Sequence, residues 1–451
     1  MDPVIAKYAE ARLPRYTSYP TAPHFGPEVG GATMAAWLGA LDPELPLSLY
    51  LHVPFCRQVC WYCACNMKLA AREGPVEAYA ETLLREIDLV ADALPRPMAV
   101  TNIHWGGGTP TAMPLVHLGR ITRALRERFE VLGGAEIAYE LDPRTFTPEM
   151  APGLAALGAS RVSLGVQEFD ARVQAAVNRV QPFEQVAATV ERIRAAGIDA
   201  INFDLMYGLP YQSEETIART VDQVVALGPD RIALFGYAHV PWMAKNQRMI
   251  PEDALPGSAA RFAQAEAAAE MLVRQGYVRI GLDHFARPGD AMAAAMAAGT
   301  LKRNFQGYTV DEAEALIGIG ATSISALPQG YVQNIPEERA HGRAVAAGVL
   351  PAARGRAVSA EDMLRRAVIE RLMCEMEVDL AEIARAHGRP TDHFAGEHAD
   401  LADLEADGLI ERSGWRLLVR ERGRAALRVV AARFDTYLSP EAGPQRHAVA
   451  V

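Results

Sequence analysis

Between residues 46 and 283 the chain alternates short apolar runs with longer amphipathic stretches, and no other feature of the sequence restricts the fold as strongly. The runs are SLYLHV (48–53), VTNIHW (100–105), EIAYEL (136–141), SRVSLGV (160–166), AINFDLMYG (200–208), RIALFGYA (231–238) and YVRIGLD (277–283). Segments with helical periodicity separate them, as at 76–94, 184–197 and 214–228. Strands read as apolar on both faces and followed by helices imply a parallel sheet covered by those helices. Seven of them predict an α/β fold, an open or closed β/α barrel, with its chemistry on the loops after the strands' C-terminal ends.

The chain has 451 residues, more than the roughly 250–300 at which one hydrophobic core stops growing, so segments outside the barrel are expected. An N-terminal arm (1–45) contains LPRYTSYPTAPHFGP, whose prolines favour extended chain, and it is placed to cover the mouth of the barrel, read as 46–350. A linker at 351–362 opens a C-terminal domain (351–451). There, helices at 363–376, 379–386 and 400–407 precede a hairpin at 409–423, a mostly helical, winged-helix-like arrangement. Its Arg412, Arg416, Arg420, Arg422 and Arg424 are interleaved with acids, which favours a packing domain over a DNA reader.

Four of the five cysteines, Cys56, Cys60, Cys63 and Cys65, fall within ten residues, directly after the first predicted strand, while Cys374 stands in apolar RLMCEM and reads as core. Without a signal peptide, a tight thiol cluster in a long chain points to metal or redox work rather than disulfides. Three thiolates on one short loop can hold three corners of a [4Fe–4S] cluster and leave the fourth iron open. Tetrahedral zinc usually takes two Cys-x2-Cys halves separated by an intervening loop, which this cluster lacks. WGGGTPT (105–111) follows the second run; its glycines allow close backbone approach to a ligand, and no Gly-Lys-Ser/Thr follows to make a phosphate loop. The net charge of −10 offers no basic footprint for nucleic acid or an anionic membrane. No uncharged apolar run reaches the ~18 residues of a membrane span. A cytoplasmic monomer that neither inserts into membranes nor binds nucleic acid is expected.

Cys56-x3-Cys60-x2-Cys63, with the aromatic Tyr62 before the last cysteine, resembles the signature of the radical S-adenosylmethionine (SAM) superfamily, whose barrel matches the strand count. Further strand-end motifs follow: ELDPR (140–144), SLGVQEF (163–169), VNRVQ (177–181), NFDLMYGLP (202–210), FGYAHVP (235–241), DHFARP (283–288), RNFQGYT (303–309) and GATSISAL (320–327). With PRYTSYPTAPHF (14–25) and FDTYL (434–438), they make the whole chain similar to the bacterial oxygen-independent coproporphyrinogen III oxidases (dehydrogenases). That resemblance implies a [4Fe–4S] cluster on Cys56, Cys60 and Cys63 and two molecules of SAM. Tyr50, Gly107, Gly108, Thr109, Glu140, Gln167, Arg179 and Asp204 would contact SAM, with Tyr62 adding backbone contacts beside the cluster. Ala238 and Ile324 would contact it too, the latter near the second SAM. His52, close to the cluster and first SAM, and Cys65, near the cluster but not on it, are the implied catalytic residues. The implied reaction turns two propionates of coproporphyrinogen III into vinyl groups through a 5′-deoxyadenosyl radical, with an electron donor and an acceptor that the sequence does not identify. Four propionates need cations, and Arg15, Arg287, Lys302 and Arg303 are the candidates. Related haem chaperones and haem-utilisation proteins keep the cysteine motif but typically lack the fourth cysteine and the PRYTSYPT arm, both present here as Cys65 and residues 14–21.

Overall fold

The computed structural model describes residues 3–438; the end of the expected C-terminal domain, 439–451, lies outside them. Six predicted strands form in order and lie parallel: β1 (Leu47–Val53), β2 (Ala99–Gly107), β3 (Glu130–Leu141), β4 (Arg161–Gln167), β5 (Ala200–Tyr207) and β6 (Arg231–Gly236). The seventh run departs from the expectation. Val278–Ile280 (β7) turns at Gly281 into His284–Ala286 (β8), and β8 pairs antiparallel with both β7 and β6. Gly281 makes that turn at φ 51°, with the Tyr308 hydroxyl where a Cβ would stand. The seventh parallel strand is instead β9 (Ala315–Ile319), on the other side of β1.

From β9 the sheet continues antiparallel through β10 (Ile324–Leu327), β11 (Gly330–Asn334) and β12 (Ala352–Ala357), giving the order β12-β11-β10-β9-β1-β2-β3-β4-β5-β6-β8-β7. Its two ends do not pair, so the architecture is a partial barrel. Half of the segment read as a linker is thus the edge strand β12, held by its ladder to β11, and its last three residues open the helix Ala360–Glu375.

Burial alternates along β4 and β5, which corrects the reading of two apolar faces there. Leu47, Leu49, Leu51 and Val53 of β1, Val162, Leu164 and Val166 of β4, and Ile201, Phe203 and Leu205 of β5 point outward into one core with Val76, Leu83, Ile121, Val190 and Val221 of the covering helices. The intervening positions face inward and are polar or small: Ser48, Asn102, His104, Glu136, Arg161, Ser163, Asn202, Asp204 and Arg231 line an interior cavity of about 270 Å³. A barrel filled with side chains would carry apolar residues there; this one encloses a polar hollow, which suits a ligand. The covering helices carry their own stop signals. Glu214–Leu227 starts at a Ser213/Thr216 capping box and ends at Gly228 in the left-handed conformation, φ 63°.

A second core joins the two ends of the chain. Ile5, Tyr8, Tyr16 and Tyr19 of the arm pack with Leu364, Val368, Phe394 and Phe434, and Tyr16 donates to Asp435 at 3.0 Å. Segment 13–27 contains no helix beyond the single 3-10 turn Ala22–His24, as its prolines require, although helices Pro3–Ala9 and Gly31–Gly39 flank it. The C-terminal helices and the hairpin Ile410–Ser413/Arg416–Val419 form, with Glu377–Asp379 as a third strand of the wing. Cys374 is buried beside Tyr308 and Met292, as expected of a core thiol.

Candidate active site

Register places one polar position from each of several strands at the C-terminal end of the barrel. Tyr50 of β1 pairs with His104 of β2, Glu140 of β3 with Ser163 of β4, and Gly165 of β4 with Asp204 of β5. The loop after β1 crosses this ring with its cysteines. Cys56, Cys60, Cys63 and Cys65 line one cleft of about 170 Å³ together with Tyr62, Gly107, Gly108, Thr109, Glu140, Gln167, Arg179 and Asp204. Of the residues expected at the site, these twelve share the cleft. Tyr50 and His52 stand behind it, Ala238 lines a neighbouring hollow, and Ile324 opens β10, paired with Gln333.

The glycines of the second loop are required by close approach. A Cβ on Gly106 would lie 2.6 Å from Glu140 Oε1, one on Gly107 (φ 115°) 2.8 Å from the His52 ring, and one on Gly108 2.7 Å from Phe55 O. Gly108 can therefore carry only hydrogen without backbone movement, and a side chain at Gly106 or Gly107 would displace Glu140 or His52. Gly107 N–H donates to Glu140 Oε2 at 3.2 Å, while Glu140 Oε1 meets His104 Nε2 at 3.0 Å. His52 Nε2 donates to Asn66 O at 3.3 Å, which leaves Nδ1 to accept from Tyr50 Oη at 3.1 Å. Burial lowers the His52 pKa, so the ring is neutral.

Two guanidinium groups converge on one thiol. Arg144 Nη2 and Arg179 Nη1 donate to Cys60 Sγ at 3.2 and 3.3 Å. Both arginines also reach Asp142, at 2.6 and 3.4 Å. Burial alone would push the Asp142 carboxyl up, but Arg179 and Arg144 hold it below the usual range. Cys63 Sγ accepts from the Cys65 N–H at 3.4 Å, and contacts from the Cys65 thiol and backbone bring the Cys63 thiol down to about 7. Burial pushes the Cys56 thiol up to about 11. Asp204 accepts from Ser163 and Asn202 at 3.1 and 3.0 Å, yet burial, reinforced by Glu140, raises its pKa to about 6.

The cleft also fits polar ligands. Gln167 has a left-handed backbone, φ 66°, which directs it off the strand, and its Oε1 is buried without a partner, as is Arg179 Nε. Buried polar atoms of this kind normally find partners, and both residues line the cysteine cleft. The three thiols of Cys56, Cys60 and Cys63 come from one loop and line one cleft. A polynuclear cluster takes each ligand on a different corner, so this donor set suits [4Fe–4S].

Sequence reasoning missed the residues that hold the loop. Asn246 Nδ2 donates to the carbonyls of Cys60, Trp61 and Cys63 at 3.1, 3.1 and 2.8 Å, and Gln247 Nε2 to those of Tyr62 and Ala238 at 2.8 and 3.1 Å. Asp142 and Arg144 stood in view within ELDPR, whereas Asn246 and Gln247 lie in a 3-10 turn, Lys245–Met249, with no periodic signal. Arg287, a candidate for a propionate, sits near Asp199 and Asp230 at the N-terminal ends of the strands, its Nε donating to Pro229 O at 3.1 Å. It is therefore at the wrong end of the barrel for this cleft.

A thiol-bearing loop after the first strand of a partial barrel is the arrangement of the radical SAM superfamily, whose profile matches residues 50–224; the HemN C-terminal domain profile matches residues 358–425. The chain is 49% identical to the oxygen-independent coproporphyrinogen III oxidase of Bradyrhizobium diazoefficiens over 98% of each sequence. It is 45% identical to that of Paracoccus denitrificans over 95% of each. The solved structure of coproporphyrinogen III oxidase from Escherichia coli, a radical SAM enzyme, superposes with a TM-score of 0.90 at 37% identity, covering 95% of this chain and 100% of that one. The chain belongs to the oxygen-independent coproporphyrinogen III oxidase family.

Proposed function

We propose that this protein oxidatively decarboxylates two propionates of coproporphyrinogen III to vinyl groups without oxygen, giving protoporphyrinogen IX. The observation that carries the reading is the single cleft in which three thiols of one loop face the glycine strip, Glu140, Gln167, Arg179 and Asp204, in a chain that matches named coproporphyrinogen III oxidases along nearly its whole length. Cys56, Cys60 and Cys63 would hold a [4Fe–4S] cluster, which with bound SAM supplies one-electron cleavage of SAM and hence hydrogen abstraction from the propionate carbon next to the ring.

The protein's own residues bind, orient and exclude. Arg144 and Arg179 each donate a hydrogen bond to Cys60 Sγ and fix its position on the cleft wall. Gly107 to Thr109 bring backbone to the cleft, and Gln167 Oε1 offers an acceptor to a ligand's donor. Glu140 and Asp204 supply carboxylates for the cations and hydroxyls of SAM. Tyr50 and neutral His52 back the glycine strip and fix its depth. Val166, Leu141 and Phe203 wall the outer side against water.

We further propose two SAM molecules, a separate electron donor and acceptor, and a cytoplasmic monomer that does not bind nucleic acid. The net charge of −10 supports the last point, and no helix among the described residues is long and apolar enough to cross a membrane. Anaerobic incubation of the iron–sulfur-reconstituted protein with coproporphyrinogen III, SAM and a reductant tests the reading. Protoporphyrinogen IX and 5′-deoxyadenosine should accumulate together; SAM-dependent substrate loss without a vinyl product would overturn it.

A further inference from the structure

At the C-terminal ends of β5 and β6 a second hollow, of about 90 Å³, opens between the arm, the barrel and the C-terminal domain. It shares Ala238 and Gly236 with the rim of the barrel mouth and is lined by Arg15 from the arm, Arg261 from the helix Ser258–Arg274 and Arg428 from the C-terminal domain, with a fourth arginine, Arg279, from β7. The two carboxylates lining it are already engaged. Glu266 meets Arg279 at 2.9 Å. Asp283 meets His284 at 2.8 Å and Arg303 at 3.9 Å, and its single negative charge is shared with Arg15 and Arg428, so it offsets the cluster only in part. Arg15 spends one donor on Gly236 O at 3.1 Å. Arg261 lies over the Tyr207 ring, 5.7 Å from its centroid, and its buried Nε has no partner.

Three guanidinium groups in one confined hollow repel each other. Burial and the nearby Arg15 lower the pKa of Arg261, and the same two effects bring Arg428 to about 10. Such a cost is relieved when an anion enters, and planar carboxylates are the anions that guanidinium forks match best. The hollow is too small for a tetrapyrrole and suits one short carboxylate side chain.

We infer that Arg15, Arg261 and Arg428 form a carboxylate subsite that takes one propionate of the porphyrinogen, steering the macrocycle toward the cysteine cleft. The inference rests on the function proposed above. A carboxylate could also come from the methionine end of SAM, and the test separates the two.

The full-length reconstituted protein is titrated with coproporphyrin III, the stable tetracarboxylate, by fluorescence quenching, and separately with SAM, in the wild type, Arg261→Gln, Arg261→Lys and Arg15→Gln. Losing one charged fork should weaken coproporphyrin III binding about tenfold or more, with partial recovery in Arg261→Lys and no change in SAM affinity, iron content or the visible cluster spectrum. Arg15 is exposed on the arm, so Arg15→Gln reports on the hollow even where Arg261→Gln disturbs folding. Undiminished coproporphyrin III affinity in both variants overturns the subsite, as does a loss confined to SAM. Turnover of coproporphyrinogen III by the wild type is followed in the same samples, so that failure of the functional reading shows separately as binding without product.

Discussion

Replacing Asn246 by leucine should loosen the cysteine loop while leaving every thiol in place. The Asn246 amide has two hydrogens to share among the carbonyls of Cys60, Trp61 and Cys63, at 3.1, 3.1 and 2.8 Å. Two net hydrogen bonds are worth about 2 kcal/mol, and carbonyls left without donors in the cleft wall add to that. The rest of the loop's support comes from Trp61 N–H to Val177 O at 2.9 Å, Cys63 N–H to Cys60 O at 3.2 Å, Gln247 Nε2 to Tyr62 O at 2.8 Å and Asn178 Nδ2 to Val59 O at 2.8 Å, none of which replaces the bonds to the carbonyls of Trp61 and Cys63. A change of about 2 kcal/mol in the closed state corresponds to roughly 30-fold more frequent opening. Iron released to a chelator under anaerobic conditions measures that opening. Asn246→Leu should release iron about tenfold to 30-fold faster than wild type at similar global Tm, and Asn246→Asp, which sets a carboxylate against the carbonyls, faster still. Release at the wild-type rate in both would show that the side-chain amide does not hold the loop.

Cys65→Ser should retain iron and the visible cluster band, because the contact from Cys65 to Cys63 Sγ includes its backbone N–H, whereas Cys60→Ala should lose both; iron analysis decides. Asp204 has a folded pKa near 6, above its ordinary value, so the native state binds the extra proton and stability falls as pH rises from about 4 to 6. Asp204→Asn should remove that slope and stabilise the cluster-free protein at pH 7 by up to about 3 kcal/mol, at the expense of SAM affinity; urea melts across pH test this. Gly107→Ala forces a side chain into a backbone at φ 115° against the His52 ring and should lower both Tm and SAM affinity, by about 1–3 kcal/mol in stability.

The barrel was legible because outward-facing apolar residues of β1 to β6 recur with their helices, and the cysteine loop because its spacing is local. Where reasoning failed, long-range pairing decided the outcome. The run 277–283 has strand composition, but only the fold shows that β9, a short stretch at Ala315–Ile319, takes the seventh parallel place while Gly281 turns the run into an edge hairpin. The inward positions of the strands were hidden for a related reason. Tyr50, His52 and His104 are amphipathic and read as part of apolar runs, although each faces a polar neighbour. The prolines made the arm legible as extended chain, but no local pattern reveals that Tyr16 and Tyr19 complete the core of the C-terminal domain more than 300 residues away. Asn246 and Gln247 act through side-chain amides on carbonyls more than 180 residues distant, which leaves no trace in periodicity.

In the proposed reaction, SAM held at the cysteine cleft takes a hydrogen from the propionate carbon next to the ring. Coproporphyrinogen III carrying deuterium on the propionate carbon next to the ring tests this in a single measurement, read by mass spectrometry of the 5′-deoxyadenosine formed. One deuterium should appear in each 5′-deoxyadenosine, with one 5′-deoxyadenosine per vinyl group. Unlabelled 5′-deoxyadenosine accompanying full vinyl formation would contradict the account.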